Sequence, residues 1–281
     1  MSRPPRRVVH LSDVHLLGEP RPRGALERVA TALVSYARRL DPAGRRRKLV
    51  RALAEARRLG ADEVVISGDL TELGTTDQFE ELAAALHGSG IDPDGIVLVP
   101  GNHDLYTSAD GWRRALSGPL RAFARAAAEA AGKIVERGDM AYLPIDATVF
   151  QPITRSNGFL APDAAEALAR RLADPALARR PVAVVLHHPP VPHGDRVRQW
   201  IDGLIGHGIL GEILARHGDV QVLHGHQHQR IDRTLGSAWS RALGASAVVD
   251  DREDAAPRVR LYELERGRLA PVEPVPPARV A

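Results

Sequence analysis

The sequence predicts a layered α/β fold, and three observations carry the expectation. Short β-branched runs recur along the 281 residues, apolar residues repeat at spacings of three and four between them, and several runs break off into polar residues. Arg7 to Leu11 runs into Ser12-Asp13, and Glu63 to Ile66 runs into Ser67-Gly68-Asp69. Ile96 to Val99 runs into Pro100-Gly101-Asn102. Val182 to Leu186 ends at His187-His188, and Val220 to Leu223 ends at His224-Gly225-His226. Runs this short and this apolar read as strands buried on both faces, each followed by a loop. Leu49, Leu53, Ala56 and Leu59 put one apolar stripe on a helix, and Phe79, Leu82, Ala83 and Leu86 put another. Ala165, Leu168 and Leu172, then Leu210, Ile213 and Leu214, repeat the pattern. Strands alternating with helices imply stacked layers.

The remaining stretches are less regular. An Ala/Arg-rich piece within residues 16–44 and a second piece from about Arg121 to Ile134 read as helices that rim the site or pack outside it. Ala242 to Val249 and Val259 to Leu264 read as strands. One domain is expected over residues 1–270, with a Pro-rich tail over 271–281.

Composition narrows the chemistry. A 44% hydrophobic content supports a folded core. The absence of cysteine removes disulfides, thiolate metal sites and thiol nucleophiles. Met1 to Arg7 is basic and Pro-rich but precedes no long apolar run, so the expectation is a cytoplasmic chain with no membrane partner. The net charge of +3 is too small to argue for a nucleic-acid surface, and Arg45-Arg46-Arg47-Lys48 reads as the solvated face of a helix.

The chemistry lies in the polar strand ends: Asp13-Val14-His15, Gly68-Asp69, Gly101-Asn102-His103-Asp104, His187-His188 and Gly225-His226-Gln227-His228. Ligands of open α/β sheets bind outside the carboxyl ends of the strands, so all five would face one crevice. Imidazole with carboxylate, and no thiolate, suits Zn, Mn, Fe, Co or Ni. Residues i and i+2 of an extended segment share a side, so Asp13 with His15, and His226 with His228, would each present two ligands toward the same site. Gly68, Gly101 and Gly225 would let the chain turn sharply and approach the metals. Two divalent ions against the carboxylates of Asp13 and Asp69 leave a charge of about +2 for a hydroxide and a phosphate ester.

These blocks, in this order over about residues 8–230, resemble the calcineurin-like metallophosphoesterase superfamily, whose pattern is D-x-H, G-D, G-N-H-D or G-N-H-E, H, and G-H-x-H. The resemblance implies a four-layer α/β/β/α sandwich and two divalent or trivalent metal ions. It implies that Asp13, His15, Asp69 and His228 hold one metal, and that Asp69, Asn102, His187 and His226 hold the other, with Asp69 bridging. It further implies a metal-bridging hydroxide as nucleophile, with His103 at the phosphate as general acid or charge stabiliser. A hydrogen bond from Asp104 would orient His103. His187 is preferred to His188 as the ligand because it comes directly off the strand. His188 is then a neighbour of the ligands, a substrate contact or a packed residue. His224 is read as buried beside the motif, and His10, His87, His193, His207 and His217 carry no assigned role. His193, Arg196 and Arg198 read as solvated loop residues.

The His187-His188-Pro189-Pro190 run and the compact length resemble the cyclic-nucleotide and glycerophosphodiester phosphodiesterase branch. The leading expectation is hydrolysis of a small phosphodiester. A phosphomonoesterase acting on nucleotides or proteins comes second. A nuclease ranks lower because the chain lacks a larger basic surface, and a non-catalytic scaffold ranks last because no ligand position is lost.

Overall fold

The computed structural model describes residues 5–18, 25, 29, 41–235, 240–252 and 254–273. Two sheets dominate it. The first has the order β13-β12-β1-β2-β3, built from β1 (Arg7–Leu11), β2 (Glu63–Ser67), β3 (Ile96–Val99), β12 (Arg260–Glu265) and β13 (Arg268–Val272). The second has the order β10-β11-β9-β7-β5-β4, built from β4 (Val135–Arg137), β5 (Met140–Pro144), β7 (Val182–Val185), β9 (Val220–His224), β10 (Ile231–Thr234) and β11 (Arg241–Gly244). β1, β2 and β3 run parallel, as do β5, β7, β9 and β11; antiparallel pairing adds β12 and β13 beside β1, and β10 and β4 at the two edges of the second sheet. A two-stranded ribbon, β6 (Gly158–Phe159) with β8 (Leu204–Ile205), stands apart from both.

Alternation along the strands creates three cores. Val9, Leu11, Val64, Ile66, Ile96 and Leu98 face outward from the first sheet onto α1 (Pro42–Arg58) and α2 (Thr76–Gly88). Ala141, Leu143, Val182, Val184, Val220 and Val222 face outward from the second onto α4 (Pro162–Leu172) and α6 (His207–Arg216). Val8, Val65, Val97, Tyr142, Ala183, Val185 and Leu223 lie between the sheets. The result is the expected α/β/β/α sandwich, and it explains why the strands read as continuous apolar runs: both faces are covered.

The helices start and face as their sequences dictate. Asp41 caps α1, its Oδ1 accepting from Gly44 N at 2.9 Å, with Pro42 in the first turn. Leu49, Ala52, Leu53 and Ala56 form its buried stripe, while Arg57 and Arg58 in the last turn suit the dipole. α3 (Gly111–Ser117) and the 3-10 turn Arg121–Ala126 put Trp112, Leu116, Leu120 and Phe123 into the first outer core.

Several expectations are corrected. The helix expected from Arg121 to Ile134 shrinks to the 3-10 turn ending at Ala126. Beyond it, Ala128 N bonds Leu98 O at 2.8 Å, because the open edge of β3 offers an acceptor there. The strand expected over Ala242 to Val249 is only Arg241–Gly244. The chain then leaves the second sheet and crosses the end of β1, where Val248 N bonds Ser12 O (2.9 Å) and Val249 N bonds Asp13 O (3.0 Å). Pro271 and Val272, assigned to the tail by composition, complete β13. Most of the helical piece expected within 16–44, and residues 274–281 of the tail, lie outside the described residues. Among the described residues no helix is long and apolar enough to cross a membrane.

The inter-sheet core also holds two polar atoms that weaken it. The hydroxyls of Tyr142 and Tyr262 are fully buried and make no hydrogen bond to a described residue. Burial pushes both phenols up from their ordinary value, so both carry a proton that goes unused. Desolvating such a group costs about 1–3 kcal/mol. Tyr142→Phe and Tyr262→Phe should therefore each raise stability by about 1 kcal/mol, seen as a thermal midpoint about 2–4 °C higher. A drop in the midpoint for both would mean that the hydroxyls have partners.

Candidate metal centre

The parallel strands of both sheets end at one place. His187 Nδ1 lies 2.8 Å from Ser67 O, so a side chain off β7 is held by the last carbonyl of β2. Asp13 N bonds Gly68 O (3.1 Å), His15 N bonds Asp69 O (2.8 Å), and Gly225 N bonds His187 O (3.0 Å). The five polar blocks thus form one crevice floor.

The local backbone differs from the extended geometry expected of Asp13-Val14-His15 and His226-Gln227-His228. Asp13 (φ 52°), His15 (φ 49°), Asp69 (φ 49°), His226 (φ 69°) and His228 (φ 57°) all occupy the left-handed region. A non-glycine residue there is strained, and such strain persists where surrounding contacts over-determine it. The interlocking backbone bonds supply those contacts, as does the Asp13 carboxylate, which accepts from His226 N at 3.1 Å. The glycines also divide by role. Gly68 (φ 92°) makes a turn, and a Cβ there would strike the His187 ring. Gly101 and Gly225 have no positive φ. They are needed because a Cβ would lie 2.2 Å from Asp69 Oδ1 and 1.8 Å from Ser12 Oγ respectively.

Among the described residues, Asp13, His15 and His228 bring one donor atom each within 4.8 Å of one another, and so do Asp69, His187 and His226. Asp69 lies where the groups meet: its Oδ2 is 3.6 Å from His15 Nε2 and 3.3 Å from His187 Nε2, while Oδ1 accepts from His103 N at 2.9 Å. His226 Nδ1 is 3.3 Å from His187 Nε2, and His228 Nε2 is 3.5 Å from Asp13 Oδ1. Asn102 Nδ2 donates to Tyr106 Oη at 2.8 Å. Its Oδ1, like His15 Nε2, is buried without a hydrogen-bond partner. Unpartnered lone pairs beside two carboxylates fit a cation.

Electrostatics follow the same geometry. Burial alone would raise the Asp69 carboxyl, but His187, His103 and His15 hold it well below the usual carboxylate range. Burial would lower His187, yet Asp69 and then Asp13 bring it up to about 9. Burial dominates at His103 and takes it down to about 4 against the pull of Asp69.

His103 and Asp104 depart from the expected pairing. The Asp104 carboxylate makes no hydrogen bond to the His103 ring. It accepts from Leu70 N (3.1 Å), Thr71 N (2.8 Å), Thr71 Oγ1 (2.7 Å) and Gly101 N (2.8 Å), and so buckles two site loops together. His103 Nδ1 instead lies 2.8 Å from Glu72 O, and its Nε2 is 4.0 Å from Asp69 Oδ2. The sequence reading missed Glu72, although it follows Asp69 by only three residues. It also missed Arg45, which is buried rather than solvated, pairs with Glu72 and donates to His15 O at 2.7 Å. His188 packs its ring beside those of His226 and His187, with centroids 4.5 Å and 5.0 Å away, and donates through Nε2 to Ser156 O at 2.7 Å. His10 and His224 are buried, His10 Nε2 resting 2.7 Å from Ser67 Oγ. Arg196 and Arg198 are exposed as expected, but His193 is largely covered, with Nε2 3.7 Å from Asp202 Oδ2.

Removing Asp104 should unfasten the loops rather than deprive His103 of a partner. Asp104→Ala leaves four buried donors unsatisfied and should cost about 3–5 kcal/mol in denaturant unfolding. A loss under about 1 kcal/mol would contradict the buckle.

Known proteins resemble this chain. A glycerophosphodiester phosphodiesterase (GpdQ) of Enterobacter lignolyticus is 28% identical over 167 residues, 59% of this chain and 56% of that enzyme. The alignment thus spans little more than half of that relative's length. A probable cyclic nucleotide phosphodiesterase of Synechococcus is 25% identical over 268 residues, 92% of this chain and 87% of that protein. The solved structure of a dimetal phosphatase from Danio rerio superposes with a TM-score of 0.62 at 15% identity, over 94% of each chain, and shows the same fold. The calcineurin-like phosphoesterase family model matches residues 6–230. With that match running from β1 through the last of the five polar blocks, the chain belongs to the calcineurin-like phosphoesterases, hydrolases that act on phosphate esters.

Proposed function

We propose that the chain is a dinuclear metal-dependent phosphodiesterase acting on a small diester. Asp13, His15, Asp69 and His228 hold one cation; Asp69, Asn102, His187 and His226 hold the other. The observation that carries this reading is the place of Asp69 Oδ2, within 3.6 Å of His15 Nε2 and 3.3 Å of His187 Nε2, between the two donor clusters. The unpartnered Asn102 Oδ1 and His15 Nε2 support it. Only two of the seven ligands are carboxylates, so the site retains positive charge for an anionic ester. When bound, the cations supply that charge and make water nucleophilic near neutral pH. The preference for a diester is supported by the two relatives named for diester substrates.

His103 is the proposed proton carrier. The Glu72 carbonyl can only accept, so it fixes the His103 proton on Nδ1 and turns Nε2 toward the Asp69 side of the crevice. Burial keeps the free imidazole at about 4. Bound cations would oppose protonation of the ring and the anionic ester would favour it; in the role proposed the ester's charge prevails, and Nε2 delivers a proton to the leaving oxygen.

Reconstituted with Mn²⁺, the protein should hydrolyse bis(p-nitrophenyl) phosphate faster than p-nitrophenyl phosphate. The reverse order would favour a phosphomonoesterase. His103→Ala should reduce kcat by about 10²–10⁴-fold on an alkyl diester. The loss should be smaller on the nitrophenyl diester, whose leaving group needs no proton; an equal loss on both would remove His103 from proton transfer.

Metal loading should depend on pH through His187, because a proton and a cation compete for its Nε2 lone pair. With the imidazole near 9, binding below that pH must displace the proton. Apparent Mn²⁺ affinity should then rise about tenfold per pH unit between 6.5 and 8.5, with matching proton release in calorimetry. A flat affinity over that range would contradict it.

A further inference from the structure

His226 and His228 turn opposite ring nitrogens toward the donor clusters. His226 presents Nδ1, 3.3 Å from His187 Nε2, and His228 presents Nε2, 3.5 Å from Asp13 Oδ1. The nitrogens turned away meet carboxylates from outside the five polar blocks. His226 Nε2 lies 2.8 Å from Asp202 Oδ1 and 2.9 Å from Asp202 O. His228 Nδ1 lies 2.8 Å from Asp250 Oδ2. A carbonyl and an ionised carboxylate can only accept, so each of these nitrogens carries its hydrogen. In the neutral ring the lone pair is then left on Nδ1 of His226 and on Nε2 of His228.

We propose that Asp202 and Asp250 are positioning residues that impose opposite tautomers on His226 and His228 and so select the nitrogen each ring offers to a metal. The proposal rests on the reading that both histidines hold metal.

Each carboxylate is itself placed. Asp202 ends the seven-residue helix α5 (Arg196–Asp202), none of whose residues is buried. The helix is tied down near the site: Ser156 Oγ donates to Asp202 Oδ1 at 2.6 Å, Ser156 N bonds Ile201 O at 2.9 Å, and Arg155 stacks 4.2 Å over Trp200. Asp250 arrives where the chain crosses from the second sheet over the end of β1, through the bonds of Val248 and Val249 to Ser12 and Asp13. A cation on Nδ1 of His226 would make its N–H a stronger donor to Asp202. Metal binding and the docking of α5 then favour each other, as reciprocal coupling requires.

A purely structural role would lower stability and leave metal affinity alone, so affinity is the deciding readout. Mn²⁺ should be titrated calorimetrically into metal-stripped wild type, Asp202→Ala, Asp202→Asn and Asp250→Ala, with circular dichroism reporting the fold. Each alanine variant should weaken binding by about 10–100-fold. Asp202→Asn, whose amide oxygen still accepts, should recover part of the loss. Folded alanine variants with wild-type affinity and stoichiometry would overturn the positioning role alone, whereas wild type that takes up no Mn²⁺ would overturn the metal reading as well. Should the alanine variants fail to fold, nitrogen-15 spectra of metal-stripped wild type at pH 9.5 decide. They should show hydrogen on Nε2 of His226 and on Nδ1 of His228; the opposite tautomers would overturn the proposal.

Discussion

The buried Asp69 carboxylate belongs to both sheets at once. Its backbone follows β2 of the first sheet, and its Oδ2 faces His187, which follows β7 of the second. Its other oxygen caps His103 N, so a third loop registers against the same group. An anion with so little solvent is tolerable only if surrounded by donors and positive charge, and the imidazoles of His15, His103 and His187 are drawn around it for that reason. Two absent side chains follow from this carboxylate: a Cβ at Gly101 would strike its Oδ1, and a Cβ at Gly68 would strike the His187 ring that faces its Oδ2.

Much of this was legible in the residues. Val9, Val64 and Ile96 against Val8, Val65 and Val97 show why the strands read as unbroken apolar runs, since alternate residues enter different cores. The helical stripes of α1, α2, α4 and α6 were equally plain, because a 3.6-residue period survives in the sequence. The grouping of Asp13, His15, Asp69, Asn102, His187, His226 and His228 was expected from strand ends and from the resemblance. The structure brings them to one crevice, while their roles as ligands rest on the proposal above.

What could not be read depends on contacts between distant segments. Nothing in a local pattern tells that Asp202 meets His226 or that Asp250 meets His228, because each partner comes from a segment with no motif of its own. Arg45 illustrates the opposite failure. Its basic run reads as a wetted helix face, yet the inward phase of α1 buries this one guanidinium against Glu72 and His15 O. At Asp13-Val14-His15 the two donors do converge as the i, i+2 reading expected, but by another route: the loop leaves the extended region as soon as it leaves the strand, and backbone bonds to Gly68 and Asp69 set the side-chain direction.

The pairing of β1 with β12 bears on how the chain reaches this state. Arg7 to His10 stand against Glu263 to Arg260, so the second strand in the first sheet's order is among the last made, while its neighbour β1 is the first. During synthesis β1 can pair with β2 early, but its other edge stays open until more than 250 residues have emerged. Closure of so wide a loop is slow, and an exposed apolar edge invites association with other chains in the meantime. Completion of the first sheet around β1 thus waits on a strand far along the chain, although the crevice residues themselves come from strands before it.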